Sequence, residues 1–76
     1  MREAEKLRIL LDHWIGHSAE HGEEFEKWAQ QARSAGLEEV SLRLSEAAAS
    51  SREAVRHLRD ALSFLDDSKG KEDVPE

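Results

Sequence analysis

The stretch Arg33-Ser34-Ala35-Gly36-Leu37-Glu38-Glu39-Val40 decides how this chain folds. Gly36 suits the left-handed residue that closes a helix, and Arg33 suits the negative end of the helix dipole just before it. Glu38 and Glu39 then favour the positive N-terminal end of a new helix. One helix stops and another starts within a few residues, which leaves room only for a reversal.

Working outward, residues 2–34 read as a single helix. Leu7, Leu11, Trp14, Ser18, Phe25, Trp28 and Ala32 recur at steps of three, four or seven. At about 100° per residue, Leu7, Leu10, Leu11, Trp14, Phe25, Trp28 and Ala32 share one face. Trp14, Phe25 and Trp28 are therefore expected in the core. Residues 37–65 read as a second helix whose stripe runs from Leu37, Val40 and Leu44 through Ala47, Ser51, Ala54 and Val55 to Leu58, Leu62 and Leu65. The small run Glu46-Ala47-Ala48-Ala49-Ser50-Ser51 permits close packing against Phe25 and Trp28. Residues 67–76, polar and carrying Pro75, are expected to form a disordered acidic tail behind a hairpin domain of residues 1–66.

The predicted fold is all-α, an antiparallel two-helix hairpin. A hairpin has no third layer, and Ile9, Leu42 and Phe64 lie off the main stripe. A homodimer forming a four-helix bundle is expected to bury them. The alternative is a monomer with three scattered surface hydrophobes.

Composition narrows the function. A chain of 76 residues is one small domain, whose lone core supplies roughly 3–5 kcal/mol. With no cysteine, a disulfide, a thiolate ligand and a thiol nucleophile are all excluded. The net charge of −6, with no basic cluster, argues against nucleic acid as a partner, because phosphate neutralisation supplies most of that affinity. No apolar run approaches the ~20 residues of a membrane span, and the opening residues do not resemble a signal peptide. A cytoplasmic location is the expectation.

The four histidines carry the only distinctive chemistry. His13, His17 and His21 stand at i, i+4 and i+8 within His13-Trp14-Ile15-Gly16-His17-Ser18-Ala19-Glu20-His21, a spacing that stacks side chains along one helix face. Measured from Phe25, His21, His17 and His13 fall about 40°, 80° and 120° to one flank. On the second helix His57 falls about 110° to the corresponding flank. With the turn near Ala35 and Gly36, position 57 pairs in height with about position 14 or 15, at about 1.5 Å per residue. His57 is therefore expected to fold back between His13 and His17.

Neutral imidazole is a common ligand for zinc, copper and nickel, and i, i+4 histidines can hold one ion from one helix. A third imidazole from the opposite helix would close a three-histidine site. Water, His21 or a carboxylate from Glu20 or Glu24 would complete it. The ion expected is a divalent transition metal: nickel, zinc, cobalt or copper. Gly16 and Gly22 strengthen the case, since each costs about 1 kcal/mol in a helix interior; they could instead mark close helix approach or a kink. The simpler alternative is that His21 hydrogen-bonds Ser50 or Ser51 and that the other histidines are half-exposed surface residues. No nucleophile motif or phosphate loop accompanies them, so no catalytic residue is assigned.

The segment Leu11-Asp12-His13-Trp14-Ile15, continuing through His17, His21, Glu24, Phe25 and Trp28-Ala29, resembles short helical domains with a His-Trp-Ile-x-His-x-x-x-His signature. Those domains are similar to ones associated with small nickel-binding proteins of carbon monoxide dehydrogenase maturation. The resemblance covers most of residues 7–65, including the turn at Gly36-Leu37-Glu38-Glu39-Val40. It implies metal roles for His13, His17 and His21, and nickel as the favoured ion. The chain departs from the pattern at Gly16 and Ser18, where an acidic residue and an asparagine are expected. The functions that follow are metal delivery, storage or sensing, with a metalloprotein client, or else a non-catalytic protein-protein interaction or dimerisation module.

Overall fold

The backbone of residues 2–72 and the side chains through Asp66 are described by a computed structural model. Helix α1 spans Arg2–Ser34 and helix α2 spans Glu38–Glu72. The two run antiparallel, and the molecule is an all-α helical hairpin measuring 63 × 16 × 12 Å.

The reversal follows from its residues. Gly36 has φ +81°, which an L side chain adopts only at a cost. Its N–H donates to the Arg33 carbonyl at 3.0 Å, and the Leu37 N–H donates to the Ala32 carbonyl at 2.9 Å. These are the two bonds of a Schellman motif, which satisfy carbonyls that the end of α1 would otherwise leave open. Glu38 and Glu39 occupy the first turn of α2, as the dipole argument expects.

The seam between the helices is built from small residues. Leu11, Ala29, Ala32, Ala48 and Val55 are its buried apolar members, joined by Gly22. A Cβ added at Gly22 would stand 3.3 Å from the Cβ of Ser51, so this glycine is there for close approach. Gly16 faces open space instead. Ser41, 3% exposed, donates its hydroxyl to the Ala29 carbonyl at 2.8 Å and ties the two backbones together.

Two sequence expectations are corrected here. Trp14 and Trp28 are not core: they are 40% and 51% exposed, because the seam follows the small residues and the large ones stand to one side of it. Residues 67–72, expected in a tail, belong to α2. A polar stretch without proline has nothing that must end a helix, and the first proline is Pro75. The rest of the expected tail, residues 73–76, lies outside the described residues. Ile9, Leu42 and Phe64 are exposed at 69%, 49% and 70%, as expected of positions off the stripe.

Candidate metal site

The histidines of α1 form a continuous stack. The rings of His13 and His17 lie 5.7 Å apart and nearly parallel at 11°. His17 and His21 meet edge to face at 4.4 Å, and His21 stacks on Phe25 at 5.8 Å. The helix dictates this, since residues four apart lie one above the other on the same face. All three histidines are exposed.

The decisive contact is between His17 and His21, whose Nε2 atoms are 3.1 Å apart. As free rings, one carries the proton and the other accepts it. Two nitrogens each bound at 2.0–2.1 Å to one ion, at 90–110°, also stand roughly 2.9–3.4 Å apart. A metal held by both would need each ring to turn by roughly 35–45°, because a lone pair lying along the N···N line in the hydrogen bond must point instead at an ion off that line.

His57 is placed differently from the sequence expectation. The contacts Arg8–Asp66 and Gly22–Ser51 put position 57 level with about residue 16 or 17 of α1, at 1.5 Å per residue. Its height is therefore close to that of His17. Its direction is not toward α1. Counted from the buried seam at about 100° per residue, His57 points roughly 150° away, and its Nε2 is 3.8 Å from Glu53 on its own helix. Among the described residues, no three His, Asp or Glu side chains gather where one ion could hold them. The sequence count had centred the seam on the large apolar residues, and the seam sits further round.

The other candidates also find their places. Glu24 accepts a hydrogen bond from Trp28 Nε1 at 3.2 Å, which turns it from the histidines. Glu20 is exposed. His21 shares a shallow groove of about 290 Å³ with Ser18, Phe25, Ser50, Ser51 and Ala54, but its polar contact is with His17. Glu53 is the acidic neighbour that sequence reasoning passed over, although its i, i+4 spacing to His57 was there to be read.

The two flanks of the hairpin differ in chemistry. One groove, of about 790 Å³, is lined by Glu23, Glu26, Lys27, Arg52, Arg56 and Arg59, among others. The opposite face carries Leu7, Leu10, Trp14, His17, His21 and Trp28 along α1. Its α2 half carries Val40, Ala47, Ser50, Ala54 and Ala61.

Comparison with known proteins places this geometry in a family. The model of the domain of unknown function DUF8180 matches residues 7–65. The chain belongs to the DUF8180 family. An uncharacterized protein of Archaeoglobus fulgidus is similar to it, with 39% identity over 61 residues, covering 80% of this chain and 97% of that protein. No solved structure matches the chain. The matched span contains all four histidines, the Gly36 reversal and the whole apolar face, so the candidate site lies within the family's domain. Among the described residues, no helix is long and apolar enough to cross a membrane.

Proposed function

We propose that this protein is a non-catalytic helical module that binds a divalent transition metal through His17 and His21, with His13 stacked behind them. The observation that carries the reading is the 3.1 Å separation of the two Nε2 atoms on an exposed helix face. That separation matches two ligands of one ion. His13 stacks on His17 and helps hold its ring in orientation. Nickel is the favoured ion through the resemblance of the histidine segment, and zinc, cobalt and copper suit the same imidazole donors. Two protein ligands leave coordination positions open, which suits a protein that passes its ion to a metalloprotein client.

Equilibrium dialysis of tag-free protein against nickel, zinc, cobalt and copper tests the reading. The expected outcome is stoichiometric binding that is lost in His17→Ala and in His21→Ala. Binding should also weaken as pH falls, since protons compete for the same nitrogens. Affinity no better than millimolar would overturn it.

The exposed apolar face favours a second reading, a protein-protein interaction or dimerisation module in which the histidines are incidental. That module would associate independently of metal, and sedimentation with and without a chelator separates the two.

A further inference from the structure

The bis-imidazole pair is short of ligands within one chain, and His57 stands at the right height on the opposite edge of the hairpin. Resting on the metal site proposed above, we infer that the site is completed between two copies of the chain: His17 and His21 of one with His57 of the partner subunit.

The face that would be shared is the apolar one. Counting about 100° per residue from the buried seam, Leu10, Trp14, His21 and Trp28 project roughly perpendicular to the plane of the hairpin. On α2 the same side presents Ala47, Ser50, Ala54 and Ala61. The α1 half is bulky, and the α2 half is small between Ala47 and Ala61, with Val40, Arg43 and Leu65 toward its two ends. Two hairpins stacked on this face about a two-fold axis parallel to the helices set each α1 on the partner's α2, large side chains over small ones. A two-fold axis across the helices would instead stack tryptophan-bearing helix on tryptophan-bearing helix, and alanine on alanine. Shape favours the first arrangement.

That arrangement keeps each residue at its own level. His57 of the partner subunit then arrives beside His17, at the height already established. Within each chain His17 and His57 both lean to the outer edge of the face, away from the seam. Stacking brings those two edges together along one groove. Glu53 lies 3.8 Å from the Nε2 of His57, and its carboxylate is held by Arg56 on the same helix.

A second copy is the occupant that the ligand count asks for, since among the described residues no third His, Asp or Glu of the same chain joins the pair. Leu7, Leu10, Trp14 and Trp28, between 40% and 51% exposed, supply the apolar part of the shared face.

The test uses the tag-free full chain, with zinc and nickel as probes, followed by sedimentation and by metal titration. Wild type should form a dimer holding two ions. His57→Ala should weaken binding at least tenfold, and so should Ala61→Glu, which places a charge at an exposed position of the face and should yield monomer. A mixture of His57→Ala with the double variant His17→Ala/His21→Ala should regain tight binding at one ion per mixed dimer, because only that pairing rebuilds one complete site. Wild-type affinity in His57→Ala, wild-type affinity in monomeric Ala61→Glu, or no recovery in the mixture would each overturn the shared site and leave the His17–His21 pair standing. Absence of binding in wild type itself would overturn both.

Discussion

Two glycines flank the same histidine segment and answer to different physics. Gly22 is fitted to the seam: its missing side chain lets Ser51 approach, and a Cβ there would lie 3.3 Å from Ser51's own. A Cβ at Gly16 would meet nothing within 4 Å. Gly16→Ala should therefore raise stability by about 1 kcal/mol through helix propensity alone. Gly22→Leu should lower it by about 1–3 kcal/mol through overpacking. Denaturant unfolding of the two variants beside wild type checks both signs. Sequence alone shows that both glycines break a helix rule. It cannot show which has a packing reason, because that depends on the opposite helix. The histidine stack is the reverse case: its i, i+4 spacing is enough to foresee ring contact within one helix.

At the scale of the elements, the reversal was legible and the seam was not. Arg33, Gly36 and the two glutamates state the stop and the start locally, and the Schellman bonds at Gly36 and Leu37 agree. Gly36→Ala should cost about 1–2 kcal/mol, the price of a left-handed L residue, as read by the shift of the thermal midpoint. Ser41→Ala should cost about 1 kcal/mol by removing the buried bond to the Ala29 carbonyl. The orientation of the helices about their axes differs from a periodicity count that assigns the core to the large apolar side chains. The chain spends them on a flank and packs alanine, glycine and serine between the helices. That rotation turns Trp14 and Trp28 outward and carries His57 away from α1.

For the molecule as a whole, shape is the dominant fact. A radius of gyration of 17.5 Å compares with about 11 Å for a compact chain of this length. Among the described residues, the buried apolar ones larger than alanine are only Leu11 and Val55, so the hairpin has few apolar atoms with which to offset its chain entropy. Association should supply the remainder. The thermal midpoint is expected to rise with protein concentration, as it does when only the folded state associates. Ala61→Glu should remove that dependence. Scanning calorimetry across a hundredfold range of concentration would show it, and a midpoint independent of concentration in wild type would count against association.

Local rules were enough to specify two helices, the place where the chain turns back, and a line of three imidazoles along one helix. Helix periodicity, a left-handed glycine and i, i+4 stacking all act within a few residues, so they can be read from the chain itself. Which side of each helix meets the other was decided by tertiary packing, because close approach at Gly22, Ser41 and Ala48 outweighs burial of the larger side chains. That one rotation separates His57 from His17 within the chain, and it leaves an apolar face exposed beside the His17–His21 pair.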